Sequence, residues 1–348
     1  VYELFVRASG ETQRFHDHAA VVTPNGDLLS SMKHIGADAT GDRPPTNIDR
    51  RTFRRVLLTG ITEIVNHERE LADVAPGDTW VTVTFTDGST AAGDVLVAAD
   101  GVGSAVRRRL MPDVQIVPAP VGALGLFGRA PLPDGLESEL PAAIWDAGFA
   151  IVSDGSGVQM GVGHWRPRQP ASLAAAELGL PWVEADAAPY VMLNGAIPPG
   201  MEIPPPPEWT AGTPQRMHEA MVAAVSEWHP TLRRLVETID RATLFSHPFR
   251  RLDPPVPWPT SRVTYVGDSI HAMLPTLGKG ANMAMRNAAV LHERLVAAAR
   301  GEEPLLEAIA TYEADMREAT YPLMALASDH DNFGGGALRG PGEAGADA

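Results

Sequence analysis

Arg262-Val-Thr-Tyr-Val-Gly-Asp268-Ser-Ile-His271-Ala-Met-Leu-Pro275-Thr-Leu-Gly278-Lys-Gly280-Ala-Asn282 is the stretch from which the fold is read. Val263 to Val266 is a short run of β-forming residues, as a strand buried in a sheet requires. It ends in Gly267-Asp268, which sets a carboxylate at the strand's C-terminal end, where open α/β sheets bind their ligands. Pro275, Gly278 and Gly280 then form a turn with no large side chain over its backbone. From Ala281 onward Met283, Met285, Ala288, Ala289, Leu291, His292, Leu295 and Val296 read as a long helix. The free N–H groups of its first turn, together with the helix dipole, favour a negative charge there.

Two upstream segments have the same character. In Val95-Leu-Val-Ala-Ala-Asp100-Gly101-Val-Gly103-Ser104-Ala-Val-Arg107 an almost wholly apolar strand over 94–99 again ends in an acid and a glycine. Ser104 is placed to cap a helix over 105–111, and Arg107 to Arg109 lie on its first turns, where solvent is the simplest partner. In Asn47-Ile-Asp49-Arg50, Asp49 is a plausible N-cap for a helix over 51–59. Arg50, Arg51, Arg54 and Arg55 give that helix a basic side.

Together, and in this order, these segments resemble the FAD-dependent aromatic hydroxylases of the p-hydroxybenzoate hydroxylase type. The resemblance runs over about residues 1 to 330, with the tetracycline-inactivating and polyketide-tailoring branches nearest. It implies an α/β fold: a Rossmann-like FAD-binding domain interleaved with an antiparallel-sheet α+β substrate domain. It implies FAD as cofactor and NAD(P)H as co-substrate, with oxygen delivered to an aromatic or polyketide-like molecule through a flavin hydroperoxide. On this resemblance Asp268 accepts a hydrogen bond from the ribityl chain, and Pro275, Gly278, Lys279, Gly280, Ala281 and Asn282 surround the flavin ring. Asp100 and Gly101 support the FAD phosphate region, and Arg50 either contacts flavin or points to solvent. His271 either braces the turn or touches substrate. Lys279 departs from the small or glutamine residue expected between these glycines.

The family opens with a strand–turn–helix carrying G-x-G-x-x-G, and no such motif occurs in this sequence. A βαβ unit needs about 30 residues. The expectation is therefore a chain truncated at its N-terminus, the alternative being a family member built without that unit. Expected boundaries are 1–114 for the FAD-binding domain, with inserted substrate-domain strands at about 12–33, then 115–258 for the substrate domain. Residues 259–333 complete the FAD-binding domain, and 334–348 form a disordered tail rich in Gly and Ala.

Composition narrows the partners. At 348 residues and 44% hydrophobic, the chain can fill the cores of two domains. A formal net charge of −15 disfavours sequence-independent attraction to nucleic acid or anionic membrane. The absence of cysteine excludes disulfides, thiolate metal sites and cysteine nucleophiles, and fits a cytoplasmic protein. No apolar run reaches the roughly 18 residues of a membrane span.

Elsewhere Pro24-Asn-Gly-Asp27 joins two strand-like runs as a hairpin. His16 and His18 share a face there, but no third metal ligand is evident. Residues 36–45 read as loop. Strands are expected over 61–65 and 80–86, and a second, antiparallel sheet over 122–129, 142–152, 158–165 and 243–249. Helices over 211–228 and 232–239 should cover it, and a last helix should span 305–329. The polyproline-like run 197–207 reads as a stiff surface connection. Candidate substrate-lining residues are Phe127, Trp145, Met160, His164, Trp165 and Met192. His164 is the one nearby base, although a buried structural histidine suits it equally. Two further readings of the scaffold stand beside hydroxylation: a flavin-linked reductase or FAD-scaffolded cyclase, and an inactive fragment that holds no FAD.

Overall fold

The computed structural model describes residues 1–11, 15–33, 46–118, 124–154, 158–196 and 212–328. It divides into two compact units, one drawn from residues 1–65 and 122–248, the other from 66–121 and 249–337. The segments expected at 36–45, 197–207 and 334–348 lie outside the described residues, as do the side chains of His16 and His18.

The first unit is built on a seven-stranded sheet. Its order is Asp240–Pro248, Leu124–Pro131, Tyr190–Ala196, Gln159–Trp165, Ala147–Ser153, Phe15–Val22 and Leu28–Lys33. Neighbours are antiparallel except Phe15–Val22 against Ala147–Ser153, which run parallel. A parallel pair needs a long crossover, and more than a hundred residues of chain separate these two strands. The expected Asn-Gly hairpin joins Phe15–Val22 to Leu28–Lys33.

Alternation along the strands turns one face of this sheet toward a layer of two helices. Leu126, Ala150, Val152, Met160, Val162, Val191 and Leu193 are buried under the helices Thr213–Ala224 and Pro230–Glu237. Leu232, Leu235 and Val236 recur at helical spacing and meet Met217 and Met221 in that layer. Each fully buried leucine contributes about 2 kcal/mol through the water-exposed area it removes.

Residues 1–65 belong to this unit, whereas most of them are expected in the FAD-binding domain. Leu4 of the helix Tyr2–Ala8 and Val56 of the helix Arg50–Leu58 are buried with Ala174 and Ala175 of the helix Ala171–Glu177. Two local expectations fail. Residues 61–65 form a 3₁₀ turn, Thr62–Ile64, not a strand. Ile64 is 76% exposed, so its β-forming residue type has no sheet to join. The segment read as one strand over 142–152 breaks into the helical turn Ala142–Trp145 and the strand Ala147–Ser153. Pro141 initiates the turn, its carbonyl accepting from the N–H groups of Ile144 and Trp145.

In the second unit a three-stranded antiparallel sheet, Leu71–Pro76, Val81–Phe85 and Thr90–Gly93, leads into the strand Leu96–Ala98. That strand lies parallel to Val263–Tyr265, with Leu96 opposite Val263 and Ala98 opposite Tyr265. The short strands Ile116–Pro118 and Arg250–Leu252 form a separate antiparallel pair. The helix Leu305–Ser328 is anchored to Val263–Tyr265 by polar contacts inside an apolar core. Tyr312 donates to the Tyr265 carbonyl at 2.7 Å. Buried Glu313 accepts from Trp258 Nε1, Thr260 Oγ1 and Thr264 Oγ1 at 3.0–3.1 Å. Burial raises the Glu313 pKa, and the three donors oppose that rise.

Tyr312→Phe removes the hydroxyl donor and leaves a buried strand carbonyl without its partner. The expected loss is about 1–3 kcal/mol of stability in urea unfolding followed by circular dichroism.

Candidate functional site

The parallel pairing of Leu96–Ala98 and Val263–Tyr265 delivers two acids to the same end of the second unit. Asp100 follows the first strand by two residues and Asp268 follows the second by three. Gly267 makes the bend before Asp268 with φ +68° and ψ −148°, a conformation an L side chain rarely adopts. A β-carbon there would also press to 3.3 Å from Ala284 on the helix Gly280–Ala299.

The two strand ends are tied to each other from within. The Ser269 hydroxyl lies within hydrogen-bond reach of the Ala98 and Val266 carbonyls, at 2.8 and 2.9 Å. Arg107, wholly buried, donates from Nη1 to the Ser269 carbonyl and from Nη2 to the Val102 carbonyl, both at 2.6 Å. It thereby joins the loop after Asp100 to the turn after Asp268. Burial lowers its pKa, and the nearby Asp100 charge opposes that shift. Reading Arg107 as a solvent-facing arginine is therefore corrected. Ser104 caps its helix, Ala105–Leu110, by accepting from the Arg107 N–H at 3.0 Å, and the phase so set turns Arg107 inward.

Asp100 also accepts at that helix start, from the N–H groups of Ala105 at 2.7 Å and Val106 at 3.4 Å. It supports the loop directly. Asp268 is exposed and accepts no hydrogen bond from another described residue. Its alternative role, capping the turn that follows, is not seen.

His271 braces the turn. Its Nε2 accepts from the Gly267 N–H at 3.1 Å and lies 3.1 Å from Asn287 Nδ2 on the long helix. The ring is buried, and burial depresses its pKa below the usual 6.5, against the pull of Asp268. The chain then passes through the 3₁₀ turn Pro275–Leu277 and Gly278, at φ +60°, to Lys279. No side chain caps the helix Gly280–Ala299, and its first intrahelical bond runs from the Met283 N–H to the Lys279 carbonyl. The N–H groups of Gly280, Ala281 and Asn282 are therefore left for an outside acceptor. Pro275, Gly278, Ala281 and Asn282 are exposed around them, and Lys279 and Gly280 are half-buried.

In the first unit Asp49 caps the helix Arg50–Leu58 as expected, its Oδ1 accepting from the Arg51 and Thr52 N–H groups at 3.0 Å. Its Oδ2 takes an ion pair from Arg129 at 2.9 Å, and the Arg129 guanidinium lies 4.3 Å over the Tyr190 ring. Burial, ahead of the neighbouring charges, pushes the Tyr190 phenol up to about 12. Arg50, the next residue, is exposed.

Strand register divides the six candidate lining residues. Met192 and Trp165 pair with Gly163 and Tyr190 on the face opposite the helical layer, and Phe127 pairs with Asn194 on that same face. Met160 is buried in the helix-covered core, and Trp145 packs against that core. His164 shares the Met160 face and stacks on Trp145 with ring centroids 4.0 Å apart. Burial, reinforced by Arg166, lowers the His164 pKa to about 4, so the ring is neutral near pH 7. Among the described residues no group of three or more His, Asp or Glu side chains could hold a metal ion, and no helix is long and apolar enough to cross a membrane.

Residues 206–325 match the family model described as FAD binding domain. The chain is 30% identical over 343 residues to the dual O-methyltransferase/FAD-dependent monooxygenase CTB3 of Cercospora beticola, covering 91% of this chain and 37% of that protein. It is 29% identical over 308 residues to the dual O-methyltransferase/FAD-dependent monooxygenase elcB of Phaeosphaeria nodorum, covering 81% of this chain and 32% of that protein. The chain thus spans about a third of the length of these curated relatives. A Photorhabdus luminescens protein described as a FAD containing monooxygenase shares the fold, with TM-score 0.73, 24% identity, and coverage of 93% of this chain and 80% of that one. The FAD-dependent monooxygenase family that the strand-end acids and the uncapped helix resemble is the family these comparisons return.

Two outcomes follow from the buried braces. Arg107→Ala leaves the Val102 and Ser269 carbonyls unpaired and should cost about 3 kcal/mol or more, read as a lower melting temperature. His271 must be neutral to accept through Nε2, and the unfolded chain takes up its proton first. Its stabilisation is complete above about pH 6.5 and is lost as pH falls toward the depressed folded value. Melting temperatures of the wild type should therefore drop more steeply below pH 6.5 than those of His271→Gln, which keeps an acceptor without titrating.

Proposed function

We propose that the protein is an FAD-dependent monooxygenase that uses NAD(P)H and oxygen to hydroxylate an aromatic or polyketide-like small molecule, in the cytoplasm. The observation that carries this reading is the unpaired Asp268 carboxylate on the same turn-and-helix segment as three unbonded helix-start N–H groups. Such a donor and acceptor set suits a ligand with hydroxyls at one end and accumulating negative charge at the other.

FAD, when bound, supplies the redox chemistry, taking reducing equivalents from NAD(P)H and passing them to oxygen. The chain's part is to hold and polarise. Asp268 accepts from a hydroxyl of the ribityl chain. The N–H groups of Gly280, Ala281 and Asn282, helped by the positive helix end and by Lys279, stabilise charge at the pyrimidine edge without reorganising. Gly278 leaves the backbone bare, and Pro275 stiffens the turn. Asp100 and Gly101 shape the loop for the phosphate region. Phe127 and Met192, on the sheet face opposite the helices Thr213–Ala224 and Pro230–Glu237, are the better substrate-lining set, whereas Trp165 on that face is buried beside Ala8, Thr52 and Ala171. His164 then serves as a neutral stacking partner of Trp145, not as a base.

The test is a visible spectrum after FAD is added and unbound flavin removed, followed by NAD(P)H oxidation and oxygen uptake with a panel of phenols. Flavin absorbance that stays with the protein and oxygen uptake that depends on a phenol support the reading. Turnover without reductant or oxygen would instead make the protein a cyclase, and no retained flavin would leave this chain without its cofactor.

A further inference from the structure

On the sheet face opposite the helices Thr213–Ala224 and Pro230–Glu237, aromatic side chains surround one carboxamide, with Arg129 and Tyr190 further along the same face. Along Tyr190–Ala196, Val191 and Leu193 enter the helix-covered core, so Met192 and Asn194 point the other way. Asn194 stands between its cross-strand partners Phe127 and Gly161. On the Phe127 side the floor continues through Phe245, whose ring stacks on Phe127 at 5.0 Å and 11° and is 47% exposed. On the other side Phe149 leans over Gly161, where a β-carbon would overlap both the Phe149 ring and Asn194 Oδ1. The bare glycine is what lets the carboxamide lie down between aromatic rings. That carboxamide is half-exposed and makes no hydrogen bond to another described residue. An amide offers two donors and one acceptor, and leaving them unmet against an apolar ligand is costly.

From this arrangement we infer that Asn194 is the specificity-determining residue of the substrate floor. It selects a planar aromatic ligand carrying a phenolic hydroxyl or a carbonyl at its edge. The rings of Phe127, Phe245 and Phe149 hold the ligand's flat body by stacking, and Asn194 Oδ1 or Nδ2 meets its polar edge. A ligand lacking that group leaves the carboxamide desolvated and unpaired, which is how such sites discriminate. The inference rests on this sheet face being the substrate floor of the proposed monooxygenase.

The experiment is isothermal titration calorimetry on the full chain, with and without added FAD, using naphthalene, 1-naphthol and coumarin as probes. Naphthol can donate to Oδ1, and coumarin can only accept from Nδ2. Wild type should prefer both over naphthalene by about tenfold, the worth of one hydrogen bond. Asn194→Leu should abolish both preferences and tighten naphthalene binding, since no carboxamide is then left unpaired against it. Asn194→Asp, which keeps shape and acceptor but loses the donors, should keep the naphthol preference and lose that for coumarin. Unchanged preferences in Asn194→Leu, or equal weakening of both probes in Asn194→Asp, would overturn the assignment. Probe selectivity of the expected kind in a protein that consumes no oxygen would leave the assignment standing and count against the monooxygenase reading alone.

Discussion

One buried guanidinium sets the geometry on which the second unit depends. Arg107 spends two of its donors on main-chain carbonyls, Val102 after one strand and Ser269 after the other. Parallel strands align their own residues, but they do not fix the loops beyond them. Here the loops are fixed by a planar fork whose two arms reach them at once. Burying a cation is tolerable because both arms are bonded and Asp100 is near enough to oppose the desolvation of the charge. The consequence is functional. Asp100 is engaged through Oδ2 by the N–H groups of Ala105 and Val106, whereas Asp268 meets no donor among the described residues and is the strand-end carboxylate left for a ligand.

A second brace works from the helix side. Gly267 lets the bend approach Ala284, and His271 and Asn287 fasten the same bend to that helix. The bend, its acid and the uncapped helix start are therefore held by contacts that use none of the groups assigned to FAD. Preorganisation of this kind is what allows backbone dipoles to stabilise a charge without moving.

Much of this was legible in the sequence, for identifiable reasons. An apolar run ending in Gly-Asp, a Pro-Gly-Gly turn and a long helix each carry a local signal that tertiary context did not override. So do the Asn-Gly hairpin and the caps at Asp49 and Ser104. What was not legible depends on phase and partners. Arg107, Arg108 and Arg109 look alike in sequence, and only the helical phase after Ser104 buries the first. Met160, His164 and Trp165 are near neighbours on one strand, yet the side-chain period of two sends Trp165 to the face opposite Met160 and His164. Residues 61–65 have strand-forming side chains but no sheet edge to join. Asn194 gave no signal at all, because its meaning comes from Gly161 and Phe127 on the neighbouring strands.

Asp268 offers the most direct test of the cradle. Its carboxylate carries no structural bond, so Asp268→Ala should melt as the wild type does, whereas a group that holds the ribityl chain cannot be removed without weakening FAD. Titration of FAD into wild type and Asp268→Ala, followed by flavin fluorescence, should show the variant binding about tenfold or more weakly at an unchanged melting temperature. Equal FAD affinity in the two proteins would contradict the assignment of this strand end as the flavin site.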